Sequence, residues 1–289
     1  MALRNVVFMR FPKGKTKAVT LSYDDGVKTD QRLISIMNQH GLKGTFNINA
    51  NLFAEEGTAD NKPTRRMTYS EAKETYLNSG QEVAAHGLNH GFFNRMDKSS
   101  ANYEVCEDRR RLEKMMGRVI RGMAYPYGVY TEEFLSVLRT NQIAYCRTTR
   151  SHHGFHLPEE FLTWHPTCHH KDEMLPELTK KFLEARVGTP RQHDGLLFYL
   201  WGHSYEFEND NNWNVIEDFA QAVGGRDDIW YATNMEIFQY VKAFERLEFS
   251  VEQTWVYNPS GLDLWLVCNA WNGFESEAIR VPAGKIVAL

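Results

Sequence analysis

Cysteine is scarce and scattered in this chain. Its four cysteines (Cys106, Cys146, Cys168 and Cys268) lie far apart with no CxxC pair, so they support neither a disulfide framework nor a thiolate zinc site. Long apolar runs are missing: nothing approaches the roughly 18 residues that a membrane-spanning helix needs. The stretch Met1–Leu21 has neither the sustained apolar core nor the small-residue cleavage site of a secretory leader. The expectation is a cytoplasmic protein that does not enter a membrane. Positive charge is not in excess either. With 33 basic and 37 acidic residues the net charge is −4, and no basic stripe provides an electrostatic footprint for nucleic acid. Internal repeats and low-complexity segments are absent, and no pattern speaks to oligomeric state.

What the chain does have is alternation. Its 289 residues suit one large α/β domain or two small ones, and they run through short apolar segments, each followed by a longer amphipathic one. Ala18–Tyr23 reads as a buried strand ending at Asp24-Asp25-Gly26, and Thr29–His40 as a helix closed by Gly41. Gly44–Ile48, Gln81–Ala85, Arg121–Tyr125, Ile143–Thr148 and Gly195–Trp201 read as further strands, with a short one at Phe161–Trp164. Helices are expected over Ser70–Asn78 (opened by Ser70), Lys98–Met116, Thr131–Asn141, Met174–Val187, Trp213–Val223 and Asn234–Phe244. This β-α repetition implies a parallel sheet buried on both faces, open or closed. Beyond residue 248 the pattern turns to strand alternation, in Phe249–Tyr257, Leu262–Asn269 and the tail Ala278–Leu289. The expected organisation is an α/β unit over 1–248, with 249–289 a small β appendage packed on the same domain.

The reactive side chains cluster at the C-terminal ends of these strands, where α/β folds place their sites. Two adjacent carboxylates at a strand end, Asp24 and Asp25, point in different directions, so one can bind a metal while the other accepts a proton. An isolated DDG reads first as a solvated loop with an Asp capping the next helix. His86 and His90 form an HxxxH spacing, which in a helical turn sets both imidazoles on one face as Zn²⁺ requires. Adding the Asp25 carboxylate completes an Asp-His-His site with open positions for water and substrate. Tyr125-Pro126-Tyr127-Gly128 is either a simple turn or a loop offering the Tyr127 N–H to a developing oxyanion. His203 is either a satisfied buried histidine or a proton donor to a leaving group. The aromatic share of 13% suits a large core or a sugar-stacking cleft, and composition does not choose between them.

Taken in this order, the segments Ser22-Tyr23-Asp24-Asp25-Gly26, His86-Gly87-Leu88-Asn89-His90, Tyr125-Pro126-Tyr127-Gly128 and Trp201-Gly202-His203-Ser204 resemble the polysaccharide deacetylase family, the NodB-homology carbohydrate esterases of family 4. The resemblance covers roughly residues 18–245. It implies a distorted, incomplete (β/α) barrel of about seven parallel strands and a hydrolase of carbon–nitrogen bonds other than peptide bonds. It also implies an acetylated carbohydrate as substrate. By the same resemblance Asp24 is the catalytic base and Asp25, His86 and His90 hold a divalent metal. Zn²⁺ is the first choice, with cobalt, nickel or iron able to take its place. The Tyr127 N–H faces the oxyanion, and His203 is the acid. Tyr125, Pro126, Trp164 and Trp201 are the expected substrate contacts.

Three departures from the family pattern matter. Gly87 stands where Ser or Thr follows the first histidine, and Ala124 where an Arg pairs with the base. Topology offers Arg147, at the end of the fifth strand, to hold Asp24 ionised. The family's Asp-Trp pair that tunes the acid is not legible. Asp172 is one candidate to orient His203, Glu206 and Glu208 are others, and His169-His170 is either an alternative metal contact, direct or through a ligand, or part of a polar loop lining the mouth. Two other functions stay open: an amidohydrolase acting on a small ureide-like amide, and a silent carbohydrate-binding protein.

Overall fold

The computed structural model describes residues 6–187, 194–268 and 277–289. Its architecture is set by one strand, β2 (Lys17–Asp24), preceded in the chain by β1 (Val7–Arg10). All eight residues of β2 are buried, as expected of an apolar strand covered on both faces. In chain order there follow α1 (Asp30–Gln39), β3 (Gly44–Ile48), α2 (Tyr69–Leu77), β4 (Glu82–Ala85), α3 (Lys98–Met116), β5 (Gly122–Ala124), α4 (Glu132–Thr140) and β6 (Tyr145–Arg147). After these come β7 (Cys168–His169), α5 (Leu175–Glu184), β8 (Leu196–Gly202), α6 (Ser204–Asn209), α7 (Asn214–Val223), β9 (Ile229–Tyr231) and α8 (Asn234–Phe244).

Seven parallel strands run in the order β6-β5-β4-β3-β2-β8-β7. One edge of β2 pairs with β8 from Lys17 to Tyr23. The other is shared, with β9 beside Lys17–Val19 and β3 beside Leu21–Asp24. The run curls without closing, since among the described residues β6 and β7 do not pair. This is the incomplete (β/α) barrel expected from the sequence. Lys17, buried at the start of β2, ties that end of the strand to α5 and to the turn before β9: its Nζ donates to the Leu183 carbonyl at 2.7 Å and to Asp228 at 3.1 Å.

Local chemistry sets most element ends. Helix α3 has Asp97 accepting from two backbone N–H groups at its start, and Gly117 in the left-handed region (φ 63°) at its end. Two expectations are corrected. The cap of α2 is Thr68 rather than Ser70, because Thr68 and Glu71 form a reciprocal capping box. Phe161–Thr163 is a 3₁₀ turn rather than a strand, touching β6 through one bridge between Arg147 and Trp164.

The remaining strands are antiparallel: β10 (Glu248–Phe249), β11 (Trp255–Tyr257), β12 (Leu264–Cys268), β13 (Ile279–Val281) and β14 (Ile286–Ala288). Phe249–Tyr257 is thus two strands and a turn. Asn269, expected as a strand end, lies outside the described residues, as do residues 1–5 of the expected N-terminal reading. The strand β12 pairs with β1 on one side and β13 on the other, while β11 lies between β10 and β14. Tyr240 of α8 bridges the first pair, donating to the Arg10 carbonyl at 2.7 Å and accepting the Trp265 N–H at 3.0 Å. A continuous apolar cluster runs from Leu197 and Tyr199 through Ile237 to Leu264 and Leu266.

Candidate metal centre and active site

Beyond the C-terminal end of β2 the chain turns through Asp25 and Gly26, both left-handed (φ 85° and 65°). The turn is held by a short antiparallel contact. Met67 N–H donates to the Gly26 carbonyl, and Lys28 N–H to the Arg65 carbonyl, both at 2.9 Å. That contact lays Arg66 across the turn, where its guanidinium donates to Asp25 Oδ1 at 2.8 Å and to Asn49 Oδ1 at 2.7 Å.

His86 follows β4. Its ring Nδ1 lies 2.9 Å from the Ala124 carbonyl. A carbonyl can only accept, so Nδ1 carries the proton and Nε2 keeps its lone pair for the side where Asp24 and Asp25 lie. The expected helical turn over His86–His90 is corrected. Gly87 (φ 74°) and His90 (φ 54°) bend the loop back, and the two rings meet edge to face. Gly87 is required by this bend, because a Cβ there would press on the Phe93 ring at 3.1 Å in a backbone conformation that favours glycine. Support for the loop comes from elsewhere. Asn49 Nδ2 donates to the carbonyls of His86 and Gly87 at 2.6 Å each, and the His86 N–H donates to Asp108 at 2.9 Å.

Asp25, His86 and His90 each bring a ligand atom, all within 4.8 Å of one another. Burial pushes His86 down to about 4, against the pull of Asp24 and Asp25, and it lowers His90 as well. Both imidazoles are therefore neutral near pH 7, the form that binds metal. Two neutral imidazoles and one carboxylate are a donor set that fits Zn²⁺ or a similar divalent ion.

Asp24 stands beside this triad, almost wholly buried. Burial alone would raise its carboxyl. The Arg147 guanidinium outweighs that effect, helped by His86 and His203, and holds it at about 2. Arg147, the last residue of β6, donates to Asp24 Oδ2, and Asn47 donates to Oδ1 at 2.8 Å. Arg147 also donates to Ser22 Oγ at 3.2 Å and lies 4.4 Å over the Trp201 ring. Ala124, whose methyl group can make no ion pair with Asp24, contributes its carbonyl to His86 instead.

His203 opens α6. Its Nδ1 is 3.1 Å from Glu206 Oε2, and its Nε2 is 4.0 Å from both Asp24 Oδ2 and Asp25 Oδ2. Burial disfavours its charge, but the Glu206 bond and the Asp24 and Asp25 carboxylates raise it above the usual histidine value. It is therefore the one site histidine disposed to carry a proton. Of its candidate partners, Asp172 instead faces His153 at 2.7 Å, and Glu208 accepts from Trp213 at 2.7 Å. Neither orients His203.

The substrate-contact expectations need correction. Trp164 is 1% exposed, packed among Tyr145, Phe161 and Tyr199. Tyr125 is equally buried, its hydroxyl donating to the Leu162 carbonyl at 2.6 Å, and Pro126 is buried under the Gly87 bend. Trp201 is nearly buried between Arg147 and His169. The open aromatic surface at the mouth is a different pair. Phe92 and Tyr127 stack at 4.0 Å, and Tyr127 meets His90 edge to face. Tyr127 itself is left-handed (φ 59°). No local pattern marks Arg66, Asn49, Asp108 or Phe92, because their placement depends on loops far apart in sequence.

Behind the site, Asp30 of α1 is fully buried and accepts from Tyr76 at 2.5 Å and from the Ser204 hydroxyl, beside His203. Burial drives its carboxyl up to about 7, against those two bonds and with Asp25 and Asp24 adding to the rise. A carboxyl raised from 3.8 contributes stability in full below about pH 4 and loses it as pH climbs through 7. Asp30→Asn removes that loss. Its melting temperature relative to the parent is expected to rise by several degrees between pH 5 and pH 8. A difference constant over that range would refute this reading.

Comparison with known proteins agrees with this fold. The polysaccharide deacetylase family model matches residues 12–146, the stretch that holds the first three motifs of that resemblance. Catalytically active deacetylases of that family are hydrolases of carbon–nitrogen bonds other than peptide bonds. A candidate polysaccharide deacetylase from Mycobacterium smegmatis superposes with a TM-score of 0.58 at 17% identity, over 85% of this chain and 96% of its own. A family 4 carbohydrate esterase from Streptomyces lividans, solved with acetate, gives 0.48 at 17% identity, over 74% and 91%. A family 4 pseudoenzyme from Bacillus anthracis gives 0.48 at 14%, over 80% and 68%. No curated protein sequence matches the chain. Among the described residues no helix is long and apolar enough to cross a membrane.

Proposed function

We propose that this chain, whose residues 12–146 match the polysaccharide deacetylase family, is a metal-dependent hydrolase that removes N- or O-acetyl groups from a carbohydrate. The observation that carries the reading is the convergence of Asp25, His86 and His90 within 4.8 Å beside a carboxylate held ionised and a histidine whose hold on a proton is raised. A pure binding site has no need of that opposed pair.

When bound by Asp25, His86 and His90, a divalent ion supplies Lewis acidity to the acetyl carbonyl and to an attacking water. Asp24, ionised across the working pH range, takes the proton from that water. Its orientation is fixed by Arg147 and Asn47, one on each oxygen. The Tyr127 backbone N–H is suited to receive the negative charge that develops on the carbonyl oxygen. His203 gives its Nε2 proton to the departing sugar nitrogen or oxygen, and acetate leaves. Stacked Phe92 and Tyr127 offer an apolar wall against which a sugar ring can lie.

The test is acetate release from N-acetylglucosamine oligomers. Turnover is expected with Zn²⁺, to fall at least about 100-fold after chelation, and to return on adding metal back. Absence of acetate with Zn²⁺, Co²⁺, Ni²⁺ or Fe²⁺ would count against the reading. Ring opening of a cyclic ureide in the same preparation would favour a small-amide hydrolase.

A further inference from the structure

Glu206 gathers more donors than a helix-opening acid needs. Its Oε2 lies 3.1 Å from His203 Nδ1, 3.2 Å from His169 Nε2 and 3.3 Å from His170 Nε2. The same oxygen accepts the His203 backbone N–H at 3.2 Å, and Oε1 is 3.5 Å from Lys171 Nζ. His169, His203 and Glu206 are also close enough to hold a cation, so two readings compete.

Protonation states decide between them. His169 Nδ1 accepts the Lys171 backbone N–H at 3.0 Å. With Nδ1 serving as acceptor, a neutral His169 carries its proton on Nε2, which then donates to Glu206 and has no lone pair for a metal. The Lys171 ammonium adds repulsion against a second cation. The cluster is thus a carboxylate surrounded by donors, and those donors hold Glu206 well below the usual carboxylate range despite its burial.

We propose that Glu206 is the positioning residue of His203, filling from three residues further along the same chain the place of the family's absent aspartate. By accepting from both the backbone and the ring of His203 it fixes the Nδ1–H tautomer and turns Nε2 toward Asp24 and Asp25. Its negative charge stabilises the imidazolium that must be loaded before each leaving group departs. His169 and Lys171 keep the carboxylate ionised and still. The proposal rests on the deacetylase reading above.

Its test separates acid assistance from general disruption by the leaving group. An N-acetylglucosamine tetramer releases an amine that must be protonated, whereas 4-nitrophenyl acetate releases a phenolate that need not be. In Glu206→Gln, kcat on the tetramer is expected to fall roughly 100-fold, with KM within about threefold. The amide loss should exceed the ester loss by at least about 20-fold, and Zn²⁺ affinity by calorimetry should stay within about threefold. Should Glu206→Gln fail to fold, Glu206→Asp, whose carboxylate stops one methylene short, should show the same split. Equal losses on both substrates, or no loss on the tetramer, would overturn the role of Glu206 alone. A parent that turns over neither substrate would overturn the deacetylase reading and the proposal with it.

Discussion

Asp24→Asn is expected to lower kcat for deacetylation by roughly 10³-fold while Zn²⁺ binding stays within about tenfold of the parent. The two effects part because the residue stands beside the proposed metal triad and outside it. Its oxygens are taken by Arg147 and Asn47, while the donor atoms of Asp25, His86 and His90 face one another. An amide keeps the shape and can still accept from Arg147, but it cannot take a proton from water. Calorimetric titration with Zn²⁺ alongside acetate release checks both halves. Loss of metal binding together with activity would mean that Asp24 is a ligand, and the division of labour between the two aspartates would have to be redrawn.

Arg147→Met is expected to destabilise the fold by about 3–5 kcal/mol, because it strands a buried carboxylate without its partner. The Arg147 and Asp24 side chains are 0% and 3% exposed, so water cannot replace the lost ion pair. For a chain of this size the change amounts to roughly 10 °C in melting temperature. The double variant Arg147→Met with Asp24→Asn should recover part of it, since a neutral amide beside a methionine leaves no uncompensated charge. Thermal melts of the two single variants and the double give the coupling directly. Strict additivity would show that Arg147 acts through its packing on Trp201 rather than through Asp24.

How far the sequence carried the reading depended on range. The apolar run Ala18–Tyr23 announced a buried strand, and its last residue put Asp24 and Asp25 at the mouth, because strand ends and turn residues are local features. His86, Tyr127 and His203 were legible for the same reason. Arg147 could be reached by topology, since it ends the strand next to the one whose alanine replaces the expected arginine. The side chains that required the folded chain were missed. Arg66 reaches Asp25 only because residues 65–67 pair with residues 26–28. Glu206 stood out from the other acids near His203 only when the ring directions were known. Trp164 read as a sugar wall because a tryptophan near a mouth looks the same in sequence whether it faces solvent or a tyrosine. The HxxxH spacing suggested a helix, yet two left-handed residues achieve the same convergence, and a histidine at positive φ leaves no trace in a residue pattern.

The pairing of β1 with β12 joins Val7–Arg10 to Leu264–Cys268. On a ribosome, β1 has no partner until β12 has been made. Strands β2 to β6 can pair in order as they appear, while β1 keeps an unpaired edge exposed until residues 264–268 follow. Nascent chains stalled before residue 264 should therefore be more prone to self-association, and more in need of chaperone cover, than chains that already include β12.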